Sequence, residues 1–212
     1  MNAFENLPRP ATGSLPSRST LGEATEPRAS MPVLAVELGI TRAIVDARGL
    51  AECEEASDLE LVGLGPHGKR HFLVPTAARA WRSLHQAAGA EGVDLVIVSA
   101  FRSVARQAEI VRGKLAAGQT MDDILAVCAP PGFSEHHSGR AVDLSTPGST
   151  PLEPEFDQTE AFAWLQRQAG AFGFRLSYPA GNALGYCYEP WHWCFDATHP
   201  GLDWFQRPTV PR

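Results

Sequence analysis

The sequence predicts an α+β fold: one domain in which a small, mainly antiparallel sheet is flanked by helices. Three observations lead there. Apolar residues make up 44% and charged residues 20% of 212 positions, enough for one sizeable core but not for two ordinary domains plus a polar tail. Segments with helical caps and spacing are interleaved with short segments of strand character. The two kinds follow no regular βαβ order, which argues against a doubly wound parallel sheet.

Taken in order, residues 1–32 are rich in Pro, Ser, Thr and Glu and poor in aromatics, so a disordered tail is expected there. From Val33 to Arg48 the apolar residues Leu34, Leu38, Ala43 and Ile44 predict a short helix interrupted near Gly39. Leu59–Leu64 and His71–Val74 read as strands joined by the turn-rich Gly65-Pro66-His67-Gly68. A helix opens at Thr76, Ala-rich, with Trp81 and Leu84 three apart on one face and Gly at its end. Residues 33–93 are thus expected to pack as N-terminal elements on a core spanning 94–200.

Within that core, Asp94–Ala100 is a nearly continuous apolar run with three branched residues, which predicts a buried strand. Ser103 caps a helix running to about Ala117 and closed by Gly118; Thr120 with Asp123 caps another that ends before Ala129-Pro130-Pro131-Gly132. Arg140–Leu144 fits a strand. Asp157 and Glu160 frame a capping box for a helix through Phe172, stopped by Gly173. Segments 174–176 and 191–196 are short strand candidates, and 201–212 reads as a C-terminal tail.

A net charge of −6 and the lack of a basic stripe argue against nucleic acid as a partner. No apolar stretch is long enough to span a bilayer, so no membrane role is expected. The first thirty residues lack a basic segment followed by an apolar run, the mark of a secretory signal. Cys53, Cys128, Cys187 and Cys194 show no CxxC pair or framework spacing, which favours reduced thiols. The expected location is cytoplasmic, or periplasmic if a leader is missing.

Chemistry concentrates in two segments. Ser134-Glu135-His136-His137-Ser138-Gly139-Arg140-Ala141-Val142-Asp143 and Glu189-Pro190-Trp191-His192 together offer two imidazoles and a carboxylate for one metal ion, with a second carboxylate nearby. Zinc is typically held by His nitrogen and Asp oxygen, and a catalytic site keeps one position open. In an extended Arg140–Leu144, Ala141 and Asp143 share a face opposite Val142 and Leu144. Pro190 keeps Glu189 out of a helix, and an irregularity at an edge strand would bring Glu189 and His192 toward one centre, with Tyr188, Trp191 and Trp193 as dry walls. Each segment also has a bland reading: a loop histidine with a surface Asp143, or an aromatic core strand with a satisfied buried His192 and an exposed Glu189.

The pattern Ser134-x-His136-x-x-Gly139-x-Ala141-x-Asp143 followed by Glu189-x-Trp191-His192 resembles the VanY-like D-alanyl-D-alanine carboxypeptidases, of the group shared with lysostaphin-type peptidases and hedgehog signalling domains. Ser99-Ala100-Phe101-Arg102-Ser103 with Gln107 is similar to that family's Ser-Gly-Tyr-Arg-Ser segment and following Gln, departing at Ala100 and Phe101. The resemblance covers roughly residues 94 to 196. It implies the hedgehog/D-Ala-D-Ala-peptidase-like fold, a Zn2+ cofactor held by His136, Asp143 and His192, and Glu189 as catalytic base. It implies further that Arg102 meets a substrate carbonyl or carboxylate, and that Gln107 and Ser134 help hold the peptide terminus. Independently, Arg102 follows a strand and offers a planar fork for oxygen pairs.

By that resemblance the expected activity is hydrolysis of a C-terminal D-alanine from peptidoglycan stem peptides or muropeptides. An L,D-carboxypeptidase, a wall endopeptidase and a non-catalytic zinc-containing binding module are the alternatives. His137 could stand in for His136, but only His136 has the family spacing to Asp143. Cys194 reads as a small buried hydrophobe. His67, His71, His85 and His199 have no partner pattern and read as surface residues; Phe162 and Trp164 read as core. The sequence carries no signal for the oligomeric state.

Overall fold

The computed structural model describes residues 30–65, 68–196 and 198. Of the two expected tails, only residues 30–32 fall among them; His67 and His199 lie outside. The elements are α1 (Val33–Glu37), α2 (Arg42–Ala47), β1 (Glu60–Leu64), β2 (Arg70–Leu73), α3 (Pro75–Ala90), β3 (Val96–Ser99), α4 (Val104–Ala116), α5 (Met121–Val127), β4 (Ala141–Ser145), α6 (Glu160–Gln168), β5 (Phe174–Leu176) and β6 (His192–Phe195). Short 3-10 turns occupy Glu135–Ser138, Pro154–Gln158 and Ala169–Phe172. Strands β1 and β2 form an antiparallel pair. The main sheet has the order β3-β4-β6-β5, antiparallel throughout. This is the expected α+β arrangement. No helix among the described residues is long and apolar enough to cross a membrane.

The helices begin where hydroxyl side chains meet orphan amides. Thr41, Ser103, Thr120 and Thr159 each accept a hydrogen bond from the backbone N–H three residues on. Pro75 opens α3, where its missing N–H has no partner to lose. The last helix departs from expectation. Thr159, not Asp157, is its cap, and Asp157 sits in the preceding 3-10 turn. The helix ends at Gln168, and a 3-10 turn containing Gly170 carries the chain on to Gly173.

Alternation along the strands divides the sheet into two chemistries. Val142 and Leu144 of β4, Trp193 and Phe195 of β6 and Phe174 of β5 pack against Trp81 and Leu84 of α3 and Trp164 and Leu165 of α6. Full burial of such a side chain stabilises by about 1.5–3 kcal/mol. Asp143 and His192, one step off in each strand, face the other way. A second cluster joins Ala35, Ile40 and Val45 of the N-terminal helices to Leu125 and Phe133.

Two sequence expectations are corrected. Strand β3 is an edge strand with only Ile97 fully buried, because a continuous apolar run does not distinguish an edge from a centre. His71 is buried and not a surface residue: β2 turns it toward Gly65, whose missing Cβ leaves the space the imidazole occupies. His85 is exposed and Cys194 is buried, as expected. The four cysteines are free.

Candidate metal centre

Antiparallel pairing sets the site. Asp143 of β4 lies opposite His192 of β6 on one side and opposite Ser99 of β3 on the other. His136 arrives from the 3-10 turn Glu135–Ser138, which Gly139 ends in the left-handed region at φ 65. A Cβ at Gly139 would lie 3.0 Å from Val74 and 3.1 Å from Leu59, so both conformation and space require glycine. The turn is tied to the end of β3: Arg102 N donates to His136 O at 3.2 Å, and His136 Nδ1 donates to Ala100 O at 2.7 Å.

His136, Asp143 and His192 are nearly fully buried, and one ligand atom from each lies within 4.8 Å of the others. His136 Nε2 is 3.2 Å from Asp143 Oδ2, and His192 Nδ1 is 3.0 Å from Asp143 Oδ1. A carbonyl only accepts, so the proton of a neutral His136 sits on Nδ1 and its Nε2 lone pair faces a carboxylate oxygen. Burial keeps this imidazole neutral, pushing it down to about 4 despite the pull of Asp143. Two electron pairs converging without a proton between them suit a cation, and the two-nitrogen, one-oxygen set fits zinc.

His192 is held at both ring nitrogens. Its Nε2 lies 3.0 Å from Glu135 Oε2, and Glu135 also accepts from Ser177 Oγ at 2.6 Å and Arg175 Nη2 at 2.9 Å. Burial would lower the His192 pKa, but the bonds to Asp143 and Glu135 outweigh it and raise it to about 10. Burial likewise opposes ionisation of Asp143 and Glu135, yet the two imidazoles hold Asp143 well below the carboxylate range. His192, Ser177 and Arg175 bring Glu135 down to about 2. Sequence reasoning missed Glu135. Its partner stands 57 residues away, and only the pairing of β6 with β4, which follows the Glu135–Ser138 turn, brings them together.

His136, Asp143 and His192 line a pocket of about 360 Å³ that also contains Arg102, Gln107, Ser134 and Glu189. Glu189 precedes β6 in a turn closed by His192 N donating to Glu189 O at 3.1 Å, with Pro190 inside it. The expected edge strand is absent, since β6 is interior; the turn brings Glu189 and His192 to one centre instead. Burial raises the Glu189 carboxyl to about 7, with Asp143 and Glu135 adding to it and His192 and Arg102 opposing. Among the described residues its carboxylate has no hydrogen-bond partner.

Arg102 Nη1 donates to Gln107 Oε1 at 3.0 Å, and its Nη2 lies 3.4 Å from Ser99 Oγ and 3.7 Å from Asp143 Oδ2. Gln107 is buried, and its amide donates to Ala129 O at 2.7 Å and Cys128 Sγ at 3.0 Å. Its amide thus ties Arg102 to the Cys128–Ala129 segment, while the residue still lines the pocket. Ser134 lines the pocket with its hydroxyl uncommitted among the described residues. His137 stands outside the site: Nδ1 donates to Arg102 O at 2.6 Å, and Nε2 accepts from Gly132 N at 3.1 Å, bracing the loop.

The aromatic wall differs from expectation. Trp191 lines the pocket, but Trp193 alternates into the core and Tyr188 is not in the lining. Tyr178 and Tyr186 take their place; the Tyr178 ring lies 4.6 Å from that of His192 and 4.6 Å from that of Tyr186.

Comparison with known proteins places this geometry in context. The family model described as VanY, D-alanyl-D-alanine carboxypeptidase, matches residues 70–198. YodJ of Bacillus subtilis (strain 168) is 34% identical over 127 residues, 58% of this chain and 46% of that protein. The chain spans under half the length of the curated relatives it matches. The LdcB LD-carboxypeptidase superposes with a TM-score of 0.59 at 30% identity, covering 66% of this chain and 69% of that one. The vancomycin resistance D,D-pentapeptidase VanY, solved with Zn(II), gives 0.53 at 29% identity, covering 68% and 82%.

Proposed function

Because the chain belongs to the VanY family of D-alanyl-D-alanine carboxypeptidases, we propose that it is a zinc-dependent carboxypeptidase that removes the C-terminal D-alanine from peptidoglycan stem peptides. One observation carries the reading: a buried His136–Asp143–His192 set shares its pocket with a carboxyl raised to about 7 and an oriented guanidinium. His136, Asp143 and His192 would hold the ion, which when bound polarises a carbonyl and acidifies water.

The protein's own groups supply the rest. Glu189, unbonded and close to neutral pH in its affinity for protons, takes a proton from the attacking water and delivers it to the leaving amine. Arg102, aimed by Gln107, meets the oxyanion or the terminal carboxylate with a planar pair of donors. Ser134 offers a hydroxyl to the peptide end. Tyr178, Tyr186 and Trp191 exclude water, which strengthens each of these interactions.

A second reading, L,D-specificity, is favoured by the similarity to LdcB. The deciding experiment incubates zinc-loaded protein with muropeptide pentapeptides and tetrapeptides and reads product masses. Pentapeptide trimmed to tetrapeptide supports D,D-activity, and tetrapeptide trimmed to tripeptide supports L,D-activity. Cleavage of polymeric wall alone would move the protein to the endopeptidases, and zinc binding without turnover to the binding modules.

A further inference from the structure

The pocket at the metal centre does not end at Arg102. A second cavity of about 470 Å³ shares Arg102, Ile110, Asp143 and Leu152 with it, so the two are limbs of one groove. One wall is α4. Arg106, Ile110 and Lys114 stand four residues apart on a single face, Arg106 lining the far limb, Lys114 the metal limb and Ile110 both. Lys69, between β1 and β2, lines the far limb from the other side.

These cations are not explained by the fold. Among the described residues neither Lys69 nor Lys114 has a carboxylate partner. Arg106 pairs only with Glu109, at 2.7 Å on an exposed turn of the same helix, a contact of little consequence for stability. Among the described residues no carboxylate lines the far limb besides Asp143, and only Glu189 joins it in the metal limb. A positive stripe at the mouth of a site runs against a chain of net charge −6. At the junction, Leu152 holds a left-handed φ of 62 and lines both limbs.

We infer that the groove binds an acidic peptide, whose carboxylates other than the C-terminal one are met by Lys114, Arg106 and Lys69. Eight residues of helix separate Arg106 from Lys114 by about 12 Å. That is the reach of three to four extended residues, the scale of a short stem peptide. The inference rests on the carboxypeptidase reading for which end of the peptide reaches the metal centre, and on the groove's charges for the rest.

The test uses two synthetic pentapeptides ending in D-Ala-D-Ala, identical except that acidic side chains at their second and third residues are free in one and amidated in the other. Calorimetry on zinc-loaded Glu189→Ala protein should give about tenfold tighter binding of the acidic peptide at low salt. That ratio should shrink toward one at high salt and in the Arg106→Gln/Lys114→Gln protein. Equal affinities, or no binding of either peptide, would overturn the groove. Wild-type hydrolysis is measured in parallel: acid-preferring binding without turnover of either peptide sustains the groove and removes the carboxypeptidase reading.

Discussion

Glu135 Oε2 lies 3.0 Å from His192 Nε2, while Asp143 Oδ1 lies 3.0 Å from the same ring's Nδ1. The imidazole is thereby fixed in orientation, with Nε2 committed to a carboxylate and Nδ1 aimed at the centre. Outer carboxylates of this kind typically account for a 10- to 100-fold difference in metal affinity. Glu135→Ala should therefore weaken zinc by about 10- to 100-fold in a chelator competition, with Glu135→Gln less affected. Unaltered affinity in the alanine variant would show that His192 needs no orienting partner.

The same clamp predicts a proton count. In the metal-free protein His192 is raised to about 10, whereas His136 is pushed to about 4 and Asp143 is ionised. At roughly pH 7.5 only one ligand carries a proton to be displaced, so zinc uptake should release about one proton. Calorimetry in two buffers of different ionisation enthalpy measures it, and near-zero release would contradict the charged imidazole. The sign for stability follows. A pKa above the ordinary 6.5 means the His192 contribution is complete below 6.5 and is lost as pH rises through about 10. The metal-free protein should lose Tm over that window more steeply than His192→Gln.

Glu189→Ala should keep zinc and lose turnover by ~10²–10⁴-fold, the range for a general base. Burial sets the carboxyl at about 7, and a cation beside it would pull it back toward the ordinary 4.5. The acidic limb of kcat/KM in the zinc enzyme should therefore fall between 4.5 and about 7, activity rising with pH through it. Loss of zinc in the alanine variant would make Glu189 a ligand and not a base.

The legibility of the site followed the length scale of each signal. His136 and Asp143 lie on one short turn-and-strand unit, and Pro190 marked the break before His192, so local sequence offered them as candidates and the family resemblance joined them into one ligand set. Glu135, Tyr178 and Tyr186 were not legible, because each gains meaning only from a neighbour set by sheet order or loop return. The bonds of Gln107 to Arg102 and Ala129 were not legible either, because spacing alone does not show which groups its amide meets. In the fold, caps at Ser103 and Thr120 were legible from side-chain chemistry. Thr159 was passed over because Asp157 offered an equally plausible cap two residues earlier. His71 looked like a surface residue because nothing in the sequence shows that Gly65 leaves it a cavity.

Arg102→Lys should be nearly as damaging as Arg102→Ala. The guanidinium divides its donors between Gln107 Oε1 and the pocket, which a single ammonium cannot reproduce. Gln107→Met should lower kcat/KM while zinc content stays at one per chain, because the loss falls on the aim of Arg102. A lysine variant with near-normal kcat/KM would show that positive charge alone suffices.

Arg48 lies before the segment that the family model matches, yet it joins two walls of the pocket. Its Nη1 donates to Leu125 O at 2.6 Å, at the end of α5 ahead of Cys128 and Ala129, and its Nε donates to Leu184 O at 2.8 Å. Leu184 belongs to the loop between Tyr178 and Glu189, and the guanidinium also covers the Tyr186 ring at 4.3 Å. Arg48→Met keeps much of the side-chain volume but leaves both carbonyls without their charged donor. Hydrogen bonds of this kind contribute about 1.5–3 kcal/mol when intact, and partial exposure of Arg48 argues for the lower end. Urea unfolding should show a loss of about 1–3 kcal/mol, and amide exchange should quicken in residues 179–188 before it does in β4 or β6. A change within about 0.5 kcal/mol, with exchange in that loop unaltered, would mean that the loop holds its place without the N-terminal segment.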